Sequence, residues 1–95
     1  MVTERADLSI TPGRETDFES AMTRGVALLA GAAGSGGAVL LRCVERPSHY
    51  MLQIQWDAIT DHQAFTKTPQ FQAFRELAGP FFAERPQMEH YQTVI

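Results

Sequence analysis

Cysteine, basic residues and long apolar runs are all scarce in this sequence. Cys43 is the single cysteine among the 95 residues, which excludes an internal disulfide and a cysteine metal cluster and fits a reducing cytoplasm. Lysine and arginine total only 8 and the net charge is −3, so no basic patch points to nucleic acid. No apolar run approaches the ~20 residues that a membrane helix needs, and the N-terminal residues carry charges where a signal peptide is apolar. We therefore expect one cytoplasmic domain over residues 1–95.

Hydrophobic periodicity predicts four strands with helices between them. Alternating apolar residues predict strands over residues 2–10, 38–46, 49–57 and 88–95. A 3.6-residue stripe predicts a helix over residues 14–31, and a helical region in two pieces follows from near Asp57 to Gly79-Pro80. Within that region, a capping box is predicted at Thr60–Gln63 and an N-cap at Thr68. This order predicts an α+β fold of the ferredoxin-like βαββαβ type, a four-stranded antiparallel sheet with helices on one face.

The strand over residues 49–57 has an apolar face and a mixed face. Four residues spaced two apart share the apolar face: Tyr50, Leu52, Ile54 and Trp56. If Pro47-Ser48 forms a two-residue turn, Cys43 lies opposite Leu52. The same register adds three residues of the preceding strand to the apolar face: Val39, Leu41 and Cys43. It assigns three apolar residues to the mixed face: Leu40, Val44 and Met51. Such a mixed surface is typical of self-association, so we expect a homodimer through this open sheet face.

Several stretches of the chain resemble the antibiotic biosynthesis monooxygenase (ABM) family. They are Ile10–Glu19, Glu45–Tyr50, Gln55–Asp57, His62–Phe65 and Thr68–Arg75. The resemblance extends over almost the whole chain and implies a dimeric α+β barrel with a cleft between the sheet and the helices of each monomer. The family includes cofactor-independent oxygenases of aromatic polyketides, haem-degrading oxygenases and many proteins of unassigned role.

A cleft for a flat aromatic ligand is also expected from the residues themselves. Its floor is the apolar strand face, with Leu52 and Ile54 leading to Trp56. Its lid comprises phenylalanines of the later helical region: Phe65, Phe71, Phe74 and Phe81. An apolar concave space with aromatic walls is the usual form of a small-molecule site.

The resemblance suggests which residues act in the cleft. In quinone-forming members a tryptophan followed six residues later by a polar aromatic residue marks the pocket, and Trp56 and His62 resemble that pair. An arginine on the next helix also lines the pocket, and Arg75 stands nearest to its position. We expect His62 to be the base and Arg75 to hold an oxyanion. An asparagine of those members is Leu52 here. The prediction is a monooxygenase of a phenolic or quinonoid compound that needs neither cofactor nor metal.

The alternative function is a ligand-binding or stress-related module that uses the same cleft. The alternative role of His62 and Arg75 is that of ordinary surface residues of their helices. Haem degradation is disfavoured, because Thr66 stands near the place of the haem-ligating histidine in relatives with that activity. The histidines lack metal-ligand spacing, so no metal site is expected. His49 is expected to be exposed at a turn. His90, beside Tyr91, is expected to contact the partner subunit.

Overall fold

The structure is a computed structural model that describes all 95 residues. The elements are β1 (Val2–Ser9), α1 (Glu15–Ala30), β2 (Ser35–Arg42), β3 (His49–Trp56), α2 (Ile59–Phe65), α3 (Pro69–Ala78) and β4 (Gln87–Tyr91), with a 3₁₀ turn at Gly79–Phe81. The strands form one antiparallel sheet in the order β2-β3-β1-β4. This arrangement confirms the predicted ferredoxin-like α+β fold. None of the helices is both long and apolar enough to cross a membrane.

The core lies between the helices and one face of the sheet, which we call the inner face. Every second residue of β3 is buried there, as the alternation predicted: Tyr50, Leu52, Ile54 and Trp56. Helix α1 covers this face with residues at helical spacing: Phe18, Met22, Gly25 and Leu29. Gly25 lets α3 approach closely, since an added Cβ would lie 3.4 Å from the ring of Phe74; it would also lie 2.9 Å from the sulfur of Met22 on α1 itself.

The predicted pairing of β2 with β3 is wrong by three residues. Strand β2 ends at Arg42 and β3 begins at His49, so the connection is longer than a turn at Pro47-Ser48 alone. In the observed register Leu40, rather than Cys43, lies opposite Leu52. A shift by an odd number of residues turns every side chain of a strand to the other face, because side chains alternate along it.

The shift changes the composition of the opposite surface, which we call the outer face. Val39 and Leu41, predicted to be internal, lie on the outer face with 50% and 47% of their surface exposed. Leu40, predicted to be external, packs against the core. Cys43 and Val44 lie beyond the end of β2, so neither belongs to a sheet face.

The junction between β3 and α2 fixes the position of the following helix. The predicted capping box at Thr60–Gln63 is wrong, since α2 starts at Ile59 and the carboxylate of Asp61 accepts a hydrogen bond from the Ala58 N–H at 3.1 Å. The Asp57 N–H also donates to the Gly34 carbonyl at 2.8 Å. The chain therefore turns tightly from Trp56 into the helix that carries the histidine.

The predicted start of α3 is confirmed, whereas β4 is shorter than predicted. Thr68 is the N-cap of α3, and its hydroxyl accepts a hydrogen bond from the Phe71 N–H at 3.2 Å. Strand β4 stops at Tyr91, so the segment predicted to be a strand up to residue 95 is only partly one.

Candidate active site

A cavity of about 670 Å³ opens between the inner face and helices α2 and α3. Leu52 and Ile54 of β3 form part of its floor, and Phe65, Phe71 and Phe74 form part of its opposite wall. The phenylalanines therefore leave room for a ligand rather than filling the space. A cavity of ~300–1,000 Å³ with mainly apolar walls is typical of small-molecule sites.

Two residues predicted for the site do not line this cavity. Trp56 is completely buried behind its wall. The prediction for Phe81 is wrong, because its ring points into the core and meets Phe18 at 5.8 Å between ring centroids. The next residue, Phe82, lines the cavity instead.

The indole of Trp56 is hydrogen-bonded to a carboxylate that was not among the predicted site residues. Its Nε1–H donates a hydrogen bond to Oε1 of Glu4 at 2.9 Å. Glu4 is only 3% exposed, and it lies on the inner face of β1 opposite Ile54. A buried carboxylate needs partners of this kind, because leaving it without them is costly. Trp56 thus contributes to the site by holding Glu4.

His62 is buried at the same place. It lines the cavity and lies almost parallel to the indole of Trp56, with 5.4 Å between ring centroids and 14° between planes. Its Nε2 lies 3.3 Å from Oε1 of Glu4. Its Nδ1 lies 2.7 Å from Nε2 of His90. Both ring nitrogens of this histidine therefore have a partner.

The surroundings of His62 act on its pKa in opposite directions. Burial lowers the pKa, the charge of Glu4 raises it, and His90 lowers it further; the net direction is downward. His62 is therefore neutral near pH 7 and able to take part in proton transfer.

Glu4 and His90 are the site residues that sequence reasoning missed. The burial of Glu4 could have been inferred from its spacing, since Glu4, Ala6 and Leu8 are two residues apart on one strand and therefore share a face, which is buried. His90 was predicted to contact a partner subunit, whereas its ring faces His62 within the same chain. Its place follows from the pairing of β4 with β1, which puts His90 opposite Glu4.

Glu4, His62 and His90 are also residue types that bind metal ions. One possible ligand atom from each lies within 4.8 Å of the others. The two nitrogens of His62, however, point to different partners, so the three side chains form a chain rather than converge on one point. Binding of a single ion by all three would require the ring of His62 to turn.

The rim of the cavity carries an excess of positive charge. Arg75 and Arg85 line it together with one carboxylate, that of Glu76. Arg75 is exposed and forms no salt bridge, and its guanidinium lies 5.8 Å from the ring centroid of Phe71. The rim can therefore hold an anionic group of a ligand; that Arg75 does so stays a prediction.

Comparisons with known proteins agree with this architecture. The model of the family "Antibiotic biosynthesis monooxygenase" matches residues 1–77. A solved structure from Bordetella bronchiseptica, named after that family, is 37% identical, with a TM-score of 0.94 over 99% of this chain and 97% of that chain. YczJ of Bacillus subtilis (strain 168), itself uncharacterized, is 32% identical over 99% of this chain and 100% of its own length.

A more distant structure is SnoaB of Streptomyces nogalater, which is described as a cofactor-independent oxygenase. It has a TM-score of 0.85 over 99% of this chain and 93% of its own, and it is 18% identical, so the likeness shows the shared fold alone. From the family match and the two closer relatives, we conclude that the chain belongs to the antibiotic biosynthesis monooxygenase family.

Proposed function

We propose that the protein is a monooxygenase that oxidises a small phenolic or quinonoid compound in the inner-face cavity, without a resident cofactor. One observation carries this proposal. Apart from the aromatic residues Tyr50 and Trp56, the buried residues with a charged or polar side chain are Glu4 and His62, and both line the same largely apolar cavity. Ionisable groups buried beside an apolar cavity are typical of sites of proton transfer.

The proposed chemistry needs a base, a dry space and orientation. The base removes the hydroxyl proton of the substrate, and the resulting anion gives electrons to O₂. One oxygen atom becomes bonded to carbon, and the other leaves as water with two hydrogens from the substrate. Exclusion of bulk water by the aromatic walls favours this sequence over side reactions.

Different parts of the cavity would have different tasks. The group of Glu4, His62 and His90 supplies the base, and Trp56 positions it. Arg75 at the rim stabilises the oxyanion of the substrate. Contacts to the substrate ring come from apolar side chains of the wall: Leu52, Ile54, Phe65, Phe71, Phe74 and Phe82.

The proposal is tested by oxygen uptake with metal-free protein and a panel of anthrones, naphthols and hydroquinones. We expect turnover of at least one compound and a loss of about 100-fold in kcat/KM for His62→Ala, the size usual for a general base. His49→Ala is the matched control, because His49 lies on the outer face and contacts Ser9. Absence of uptake with the whole panel, or equal rates in His62→Ala, would contradict the proposal.

The second candidate is a module that binds a similar compound without chemistry. The 2.7 Å contact between His90 and Nδ1 of His62 favours it, since that nitrogen is not free to meet a ligand. Calorimetric binding of a panel compound, with no oxygen uptake, would distinguish this candidate from the enzyme.

We also propose that a second copy of the chain covers the outer face. Val39 and Leu41 are half exposed there and flank the partly buried Met51, a surface that suits self-association. Light scattering at micromolar concentration should give the mass of a dimer, and Leu41→Glu should shift it toward a monomer. A wild-type monomer would contradict this assignment.

A further inference from the structure

His90 lies at a position that gives it a direct link to the buried histidine. It is half-buried on the inner face of edge strand β4, where it pairs with Glu4 of β1. Its ring centroid is 4.9 Å from that of His62, and the nearest ring nitrogens are 2.7 Å apart. His90 does not itself line the cavity, but two of its neighbours do: Glu4, opposite it on β1, and Met88, two residues earlier on β4.

The distance between the two rings determines how many protons lie between them. Two imidazole nitrogens at 2.7 Å attract each other only if one of them carries a proton and the other does not. The carboxylate of Glu4, 3.3 Å from Nε2 of His62, favours a proton on that nitrogen. A neutral His62 then has an unprotonated Nδ1, which accepts a hydrogen bond from Nε2–H of His90.

This assignment leaves one basic nitrogen in the group without a partner. Nδ1 of His90 carries the remaining lone pair and has no hydrogen-bond partner within the protein. No side-chain nitrogen or oxygen of the protein is both buried and unpaired, so this atom is open to solvent. A proton can therefore be added at His90 without breaking any contact of the group.

We propose that His90, rather than His62, supplies the proton-accepting nitrogen of the site, and that His62 then takes up the positive charge beside the carboxylate of Glu4. The inference rests on the proposed function in so far as the proton comes from a bound phenol. The arrangement of carboxylate, middle imidazole and outer acceptor follows the logic of triads in which a buried acid orients and stabilises a histidine.

The proton transfer balances without any change of oxidation state. The O–H bond of a ligand hydroxyl breaks and its proton passes through one water, because His90 does not line the cavity; an N–H bond forms at Nδ1 of His90. The ligand keeps the electron pair as an oxyanion. The proton on Nε2 of His90 then moves to Nδ1 of His62, so the positive charge rests on His62 beside the carboxylate of Glu4.

The charged groups around the pair come from several elements. Glu4 of β1 faces His62 directly, and the uncharged indole of Trp56 covers one face of its ring. The other charged side chains in this region are Asp61 of α2, Arg75 and Glu76 of α3, and Arg85 in the segment before β4.

Nuclear magnetic resonance of ¹⁵N-histidine protein tests the proposal without any substrate. Long-range ¹⁵N–¹H correlations should show protons on Nε2 of both His62 and His90 at neutral pH. On acidification both rings should follow the same two steps, because the sites are coupled. His49, which lies on the outer face beside Ser9, is the internal control for the histidine signals. A proton on Nδ1 of His62 at neutral pH, or independent one-step titration of the two rings, would overturn the proposal.

A second experiment separates proton acceptance from a structural role. With a phenol that the enzyme turns over, His90→Ala should lower kcat/KM about 100-fold and change the acidic limb of the pH profile. His90→Gln keeps an N–H donor for His62 but has no basic nitrogen, so it should be equally impaired. Recovery of wild-type activity in His90→Gln would mean that His90 only holds His62 in place, contrary to the proposal.

The two proposals can fail separately. If the two rings titrate together with the expected tautomers but the protein consumes no oxygen, the proposed oxygenase activity is rejected and the proposed proton sharing between His62 and His90 is retained. Oxygen uptake that depends on His62 but not on His90 would remove the role of His90 and leave the oxygenase.

Discussion

The two ends of the inner face of β3 carry similar contacts with different consequences. At one end, Tyr50 donates a hydrogen bond to Glu19 at 2.5 Å; at the other, Trp56 donates to Glu4 at 2.9 Å. The side chain of Glu19 is 44% exposed and forms an ion pair with Arg42. The side chain of Glu4 is 4% exposed, and the ionisable side chain next to it is that of His62.

The difference shows how the partner of a carboxylate decides what the carboxylate can do. Arginine is always protonated, so Glu19 keeps a permanent counter-charge. Burial, followed by the hydrogen bond to Glu19, raises the pKa of Tyr50 to about 12, and its hydroxyl keeps its proton at neutral pH. At the other end the neighbour of Glu4 can gain or lose a proton. We therefore interpret the Tyr50 end as structural and the Trp56 end as the place of the proposed chemistry.

The largest expected effect is that of breaking the buried contact. Trp56→Phe should lower the free energy of unfolding by about 3 kcal/mol, because a buried carboxylate loses its donor and the smaller ring leaves a void. Guanidinium denaturation followed by far-ultraviolet circular dichroism measures this, since the variant lacks the single tryptophan. In a Glu4→Leu background the same substitution should cost less, because no carboxylate is left unpaired.

The matched change at the other end should have a smaller effect. Tyr50→Phe should cost about 1 kcal/mol, because the exposed Glu19 regains hydrogen bonds from water and keeps Arg42. The same denaturation experiment measures it. If Tyr50→Phe proved as costly as Trp56→Phe, the contrast between a buried and a solvated carboxylate would be wrong.

The smallest effects are those of pH, and they should have opposite signs at the two ends. The pKa of His62 lies below 6.5 in the folded protein, so stability should fall as pH drops below 6.5, where only the unfolded chain takes up the proton. The pKa of Tyr50 is raised, so its contribution is complete below pH 10 and is lost as pH rises toward 12.

Thermal unfolding across pH measures both contributions. His62→Gln should remove part of the acid dependence, and Tyr50→Phe part of the alkaline dependence. If either variant flattened the other limb instead, the assignment of the two ends would be contradicted.

Much of the fold could be predicted because the relevant signals are local. The alternation in β3 and the cap at Thr68 are readable from neighbouring residues, and the structure confirms both. The register of β2 was not readable, because it depends on the path of the loop between Arg42 and His49. The resulting shift of three residues exchanged the predicted faces of Val39 and Leu40.

The site could be predicted only in part, for a related reason. The placement of Leu52, Ile54 and Phe65 around one cavity follows from which face of each element is apolar. Phe81 and Phe82 are adjacent, and periodicity did not distinguish which one turns toward the cavity in an irregular segment. His90 gave no local signal of its partner, since a histidine on an edge strand suits a surface equally well.

The sequence by itself determined the order of the elements, the buried face of β3 and the turn from Trp56 into the helix of His62. These depend on hydrophobic periodicity and on backbone preferences, which act over a few neighbouring residues. Only the tertiary structure decided that Glu4 meets Trp56, 52 positions away, and that His90 meets His62, 28 positions away. The order of strands in the sheet brings these side chains together, and burial then makes them depend on one another for charge and hydrogen bonding.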